Sequence, residues 1–144
     1  MKTAPQLRSL MTPFPYSVAM DDSVSRAQAL MGEHGVRHLP VREGEAIAGI
    51  VTDSDILVAQ VRSAAAGGGA DVSVREVCTL DPYVVSLDEP LENVLSTMSE
   101  RRIGSAIVTH HGRLAGVFTA TDACRAFGDV LREWFAVEPD PEAA

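Results

Sequence analysis

Apolar positions recur with two periods along the chain, and the two alternate in a fixed order. Val24, Ala27, Leu30 and Met31 recur at helical spacing, as do Leu91, Val94, Leu95 and Met98. Each set predicts a helix with one apolar face, over 24–34 and 91–101. Asp22-Ser23 before the first and Glu89-Pro90 before the second are favoured helix starts. Short apolar runs at 38–42 and 46–52, and again at 104–109 and 113–119, read as buried strands. The tight turns Glu43-Gly44-Glu45 and His110-His111-Gly112 join them in pairs. A short strand precedes each first helix, at Ser17–Met20 and Val84–Leu87. A second helix closes each set, over 53–64 and 120–135. The order is strand, helix, strand, strand, helix, and it occurs twice.

The recurrence is a repeat of sequence as well as of pattern. Residues 6–59 align with 73–126 without a gap at a constant offset of 67. Identities include Arg8/Arg75, Thr12/Thr79, Tyr16/Tyr83, Val18/Val85, Met31/Met98, Val41/Val108, Ala48/Ala115, Gly49/Gly116, Thr52/Thr119 and Asp55/Asp122. About one position in four is identical, far above chance for so long a gapless span, and a repeat must be found before a fold is assigned. The fold class that follows is α/β of the α+β type. Two βαββα repeats, about 1–63 and 71–136, are expected to pack sheet to sheet about a pseudo-two-fold axis. Between them runs an Ala/Gly linker, 64–70, and an acidic, proline-broken tail follows at 137–144. A half of about 55 residues is marginal as an independent core, so each repeat needs the other. The pairing creates two equivalent clefts at the seam, where ligand sites are often found.

Composition narrows the partners. The 144 residues carry 12 Lys+Arg against 20 Asp+Glu, a formal charge of −8. Polyanions are held largely by Lys and Arg, so this balance disfavours nucleic acid and anionic membranes, and the basic residues are scattered. A single small anion remains open to a few cations and helix N-terminal N–H groups. Cys78 and Cys124 lack metal-ligand spacing and suit reduced, apolar side chains. The N-terminal residues lack a signal peptide's apolar run and no stretch reaches the length of a membrane span, so a cytoplasmic protein is expected.

The segment Gly49-Ile50-Val51-Thr52-Asp53-Ser54-Asp55 is echoed by Gly116-Val117-Phe118-Thr119-Ala120-Thr121-Asp122. In each, a buried strand ends in Thr and a helix begins with Asp in its first turn. Two readings of this Thr-x-x-Asp stay open. It forms a capping box, in which each side chain satisfies the other residue's N–H. Alternatively, the helix N-terminus and the Thr hydroxyl hold a phosphate, and the Asp accepts two hydrogen bonds from a ribose diol. Repeated caps would also repeat, so the repetition does not choose between them.

With these residues in place, the chain resembles a tandem pair of cystathionine β-synthase (CBS) domains, often called a Bateman module, over about residues 6–130. The resemblance rests on Met11-Thr12-Pro13, on Arg37-His38-Leu39-Pro40-Val41, and on Gly-h-h-Thr-x-x-Asp (h, apolar) in both copies. It implies a regulatory, non-enzymatic module that binds an adenosine nucleotide such as AMP, ADP, ATP or S-adenosylmethionine, with no cofactor required. Asp55 and Asp122 would hold ribose hydroxyls, Thr52 and Thr119 phosphate, with Ser54 and Thr121 beside them in the same helix starts. Thr12–Tyr16 and Thr79–Tyr83 would flank the adenine, while Arg37 and His38 would face phosphates. Ser105 occupies the place of His38 in the second copy, and Gly104 that of Arg37, so the two clefts are chemically unequal.

The remaining constellations read as structural. His110-His111 suits a solvated turn, and His34 and Arg101-Arg102 suit the negative pole of a helix end. Trp134 and Phe135, with Val130 and Leu131, form an apolar cluster suited to a homodimer contact. A purely structural dimerisation module is the alternative reading. A nucleotide hydrolase is disfavoured: no paired-carboxylate metal site, activated nucleophile or P-loop is evident.

Overall fold

The structure is a computed structural model that describes residues 3–13, 16–68 and 71–136. The first repeat contains β2 (Val18–Ala19), α2 (Val24–His34), β3 (His38–Glu43), β4 (Ala46–Thr52) and α3 (Asp53–Ala65). The second contains β6 (Val84–Ser86), α5 (Leu91–Arg101), β7 (Ser105–His110), β8 (Arg113–Thr119) and α6 (Ala120–Trp134). Ahead of each lies a one-turn helix and a two-residue strand: α1 (Leu7–Leu10) with β1 (Thr12–Pro13), and α4 (Val74–Val77) with β5 (Thr79–Leu80).

Those two short strands change the architecture. The pattern predicts three-stranded sheets, but each sheet has four strands, in the orders β2-β3-β4-β5 and β1-β8-β7-β6. Strand β1 pairs with β8 of the second repeat, and β5 pairs with β4 of the first, both antiparallel. Each repeat therefore lends its leading strand to the other. Two residues are too few to carry a strand period, which is why the exchange is silent in the hydrophobic pattern.

Each core follows the same exchange. On the helix side of the first sheet, Leu39, Val41 and Val51 pack with Val18, Val24, Ala27, Met31 and Ile56, and Val74 of the second repeat's lead-in joins them. On the second, Ala106, Val108 and Phe118 pack with Val94 and Met98, and Leu7 completes the cluster. The opposite faces are also covered: Pro40, Ile50, Ile107 and Val117 are buried yet alternate with the helix-side residues. They are the faces that meet where sheet lies on sheet. Backbone bonds from Val24 N–H to Val72 O, from Val74 N–H to Asp22 O and from Arg75 N–H to Met20 O tie the start of the second repeat to the first.

The repeated Ala-Gly pair marks an irregularity with a purpose. Both hairpins slip register at the same place, opposite Val41/Arg42 and Val108/Thr109, leaving Ala48 and Ala115 as the extra residues. The next residue must be glycine. A Cβ on Gly49 would lie 2.7 Å from the Thr79 carbonyl oxygen, and one on Gly116 would lie 2.7 Å from that of Thr12. The lent strand crosses at that glycine, closer than a side chain permits. Helix α3 ends at Ala65, and Gly67 and Gly68 both take positive φ, so the linker opens as a turn. The rest of the linker, Gly69 and Ala70, and the acidic tail 137–144 lie outside the described residues.

Candidate ligand-binding cleft

Both Thr-x-x-Asp motifs form capping boxes. Thr52 N–H donates to Asp55 Oδ2 (2.9 Å) and Asp55 N–H to Thr52 Oγ1 (3.2 Å). In the second copy Thr119 N–H donates to Asp122 Oδ2 (2.9 Å) and Asp122 N–H to Thr119 Oγ1 (3.3 Å). There the Thr119 hydroxyl also donates to Asp122 Oδ2, at 3.1 Å. The boxes set the first turns of α3 and α6 and fix both carboxylates at the ends of buried strands. Capping fixes their orientation and still leaves Oδ1 of each carboxylate outside the box.

The second copy's motif faces a cleft of about 350 Å³ at the seam. Thr12, Tyr16, Arg37, His38, Thr119, Thr121 and Asp122 line it, so seven of the thirteen site residues expected from sequence come together. They arrive from different parts of the chain. Arg37 and His38 stand at the start of β3 in one sheet, Thr119 at the end of β8 in the other with Asp122 in the first turn of α6, and Thr12 rides on β8 in the lent strand. The first repeat's basic pair thus serves the second repeat's helix start. Val36 and Val117 add apolar wall, and Gly35 and Arg125 complete the lining. Arg125 Nη1 donates to Asp122 Oδ1 at 3.3 Å; Arg125 is exposed while Asp122 is buried.

The other six expected residues belong to the pseudo-symmetric position. Thr52, Ser54 and Asp55 stand at the start of α3, and Thr79 pairs with Ile50 in the lent strand. Ser105 opens β7, and Tyr83 lies before β6 with the Arg101 guanidinium 5.3 Å from its ring centroid. At the offset of 67, the three basic residues that line the cleft, Arg37, His38 and Arg125, correspond to Gly104, Ser105 and Val58. None of the three has a basic counterpart in the other repeat. That is the signal by which Arg125 could have been found: it is the residue whose partner in the repeat is apolar while its neighbours align.

His34 ends α2, a position that suits a helix-end cation. In the structure its ring stacks on Tyr16, with centroids 3.4 Å apart and planes 8° from parallel. The stack fixes the Tyr16 ring at the mouth of the cleft. His38 is more buried, and desolvation holds its pKa below the usual 6.5. The carboxylates of Asp53, Asp122 and Asp55 pull the other way, and Arg37 adds to the lowering. His38 is therefore neutral at pH 7, with three carboxylates near enough to favour its charge. Arg37 Nε lies 4.0 Å from Asp53 Oδ2 and is largely exposed, leaving its guanidinium available to a ligand.

Among the described residues no group of three or more His, Cys, Asp or Glu side chains could hold a metal ion. No helix among them is long and apolar enough to cross a membrane. Burial pushes the Cys78 thiol above its ordinary pKa, which keeps it protonated.

Comparison with known proteins agrees with this architecture. An inosine-5'-monophosphate dehydrogenase of Korarchaeum cryptofilum is 32% identical over 107 residues, 74% of this chain and 21% of that protein. The chain spans 21%, 23% and 43% of the length of three curated relatives that it matches. The solved CBS domain pair of protein MJ0100, in complex with 5'-methylthioadenosine and S-adenosyl-L-methionine, superposes with a TM-score of 0.71 at 25% identity, covering 86% of this chain and all of that one. The structure of CBSX2 in complex with AMP gives a TM-score of 0.69 at 25% identity, covering 90% and 100%. The family model for the CBS domain matches twice, at residues 7–62 and 74–129, one match per repeat. The chain belongs to the CBS domain family, as a tandem pair of such domains.

Proposed function

We propose that the chain is a regulatory module that binds an adenosine nucleotide in the cleft between Arg37-His38 and Thr119–Arg125. The observation that carries this reading is the convergence of three basic side chains on a helix N-terminus in a chain of net charge −8. The N–H groups of the first turn of α6 and the guanidiniums of Arg37 and Arg125 suit a phosphate. Asp122 suits ribose hydroxyls, and Tyr16, Val36 and Val117 suit the faces of a purine. The complexes of MJ0100 and CBSX2 with adenosine compounds support the same ligand class. The charged lining favours AMP or ADP over uncharged adenosine derivatives in this cleft. Binding acts by preferring one arrangement of the repeats, or of two copies of the chain, over another.

The test is calorimetric titration of nucleotide-free protein with AMP, ADP, ATP and S-adenosylmethionine. Saturable binding of a phosphate-bearing adenosine compound, weakened at least about tenfold by Arg37→Ala, is expected. Absence of binding by all four refutes the reading.

We also propose that the module works as a homodimer. Phe127, Leu131, Trp134 and Phe135 are exposed along one stripe of α6 and its end, and Leu57, Val58 and Val61 are exposed on α3. Apolar stripes of this extent suit a subunit contact. The purely structural alternative draws on the capping boxes, in which both Thr-x-x-Asp pairs already satisfy each other. Dimerisation without nucleotide binding would favour it.

A further inference from the structure

We infer that Arg125 is a specificity-determining residue that competes with a ribose diol for Asp122 and, once displaced, takes the ligand phosphate. The inference rests on the nucleotide reading above and deepens it. Its basis is a count of acceptor sites on a buried carboxylate. An ionised Asp offers about four lone-pair sites on its two oxygens. In Asp122, Oδ2 accepts from both Thr119 N–H and the Thr119 hydroxyl. Oδ1 accepts from Arg125 Nη1. About one site remains, and a vicinal diol donates two hydrogen bonds. The capping bonds hold the start of α6 together and are not surrendered cheaply. The Arg125 bond is the one that yields: at 3.3 Å it is the longest of the three to this carboxylate, and it comes from an exposed side chain.

Displacement does not remove Arg125 from the site. The same side chain lines the cleft with Arg37 and His38, so a guanidinium leaving Asp122 stays within the phosphate-facing cluster. The first repeat provides an internal comparison. Asp55 is held by the same capping box, but the residue one turn on is Val58, so that position offers neither a competitor for a diol nor a partner for a phosphate.

The exchange couples two features of the ligand. A nucleoside without phosphate displaces Arg125 and offers it nothing in return. A nucleotide offers a phosphate, a charge-assisted partner. The cleft therefore reads diol and phosphate jointly, and discriminates AMP from adenosine by more than the phosphate's contacts with Arg37 and His38 alone.

The experiment measures dissociation constants of adenosine and AMP for the full chain and for Arg125→Met and Arg125→Lys, with thermal melts confirming that each variant is folded. Arg125→Met keeps the stem and removes the charge. It is expected to bind adenosine severalfold more tightly and AMP about tenfold more weakly than wild type. Arg125→Lys, which keeps the charge, is expected to retain most of the AMP affinity. A purely structural ion pair would move both ligands in the same direction. If wild type binds AMP but the adenosine-to-AMP ratio is unchanged in Arg125→Met, or if Arg125→Lys loses as much AMP affinity as Arg125→Met, the inference is overturned. If wild type binds neither compound, the nucleotide reading fails and takes the inference with it.

Discussion

Replacing Gly49 or Gly116 by alanine tests the strand exchange and the cleft in one series. A Cβ on Gly49 would approach the Thr79 carbonyl oxygen to 2.7 Å and Cys78 Sγ to 3.2 Å. On Gly116 it would lie 2.7 Å from the Thr12 oxygen and 2.6 Å from Met11 Sδ. The Met11 sulfur can turn aside, but the two carbonyls belong to lent strands whose positions are fixed by pairing. Restoring ordinary contact moves each strand by roughly 0.7 Å, and overpacking of this kind costs about 1–3 kcal/mol. For a domain of this size that corresponds to a loss of roughly 3–12 °C in Tm. Gly32→Ala is the control. It lies in α2 with nothing within 4 Å of the added carbon, so the same chemical change should stabilise the helix by roughly 0.5–1 kcal/mol. Gly116→Ala should also weaken AMP binding severalfold, because it displaces Thr12 from the cleft lining, whereas Gly49→Ala displaces Thr79, which does not line that cleft. Differential scanning fluorimetry with and without AMP reads both effects. If Gly49→Ala and Gly116→Ala melt at or above the wild-type temperature, the close crossing of the lent strands is wrong.

The other predictions concern the cleft and the surface. Asp55→Ala and Asp122→Ala should each lower stability by about 0.5–2 kcal/mol through loss of a cap, measured by urea unfolding; only Asp122→Ala should reduce AMP affinity at the basic cleft. The folded state holds the His38 pKa below 6.5, so the unfolded chain takes the proton first. The contribution of His38 to stability is therefore complete above about pH 6.5 and declines as the pH falls toward its folded value, a slope that His38→Gln should flatten in pH-dependent melts. A bound phosphate favours the charged imidazole, so AMP affinity should rise as the pH falls from about 8 to about 6, and isothermal titration should detect proton uptake that His38→Gln abolishes. Phe127→Glu combined with Phe135→Glu should convert a dimer to monomer in sedimentation velocity; an unchanged sedimentation coefficient would exclude the α6 stripe as the contact.

The sequence carried the repeat, the helices and the long hairpins because each spans enough residues for a period to register. Val24, Ala27, Leu30 and Met31 announce α2 on their own, and the structure begins and ends that helix at the expected residues. The pairings of β1 and β5 were illegible because two residues have no period, and because an exchange between repeats leaves no mark on either one. Gly49 and Gly116 were visible as identities, but the reason for them lies in a neighbour far along the chain. In the cleft, Arg37 and His38 were legible as a pair, while the second helix start they meet was not: His38 pairs with Thr52 in its own sheet, and the cleft brings Thr119 and Asp122 of the other repeat opposite the same pair. Arg125, one turn into a surface helix, has the sequence signature of an ordinary solvated arginine, and its role follows from the buried Asp122 it is paired with.

The exchange of leading strands also imposes an order on synthesis. Thr12 leaves the ribosome roughly a hundred residues before Val117, the residue it pairs with. The first sheet is likewise incomplete until Leu80 reaches Gly49. Neither repeat can finish on its own residues, and the pairing of β1 with β8 spans the greater stretch of chain. Closing so long a loop delays folding. Until then β8 presents an open edge to solvent, a template for the β1 of any neighbouring chain. The cleft draws Thr12, Arg37 and His38 from the early part of the chain and Thr119, Asp122 and Arg125 from the late part, so the pairing that completes the second sheet also brings the two sets of ligand-facing residues together.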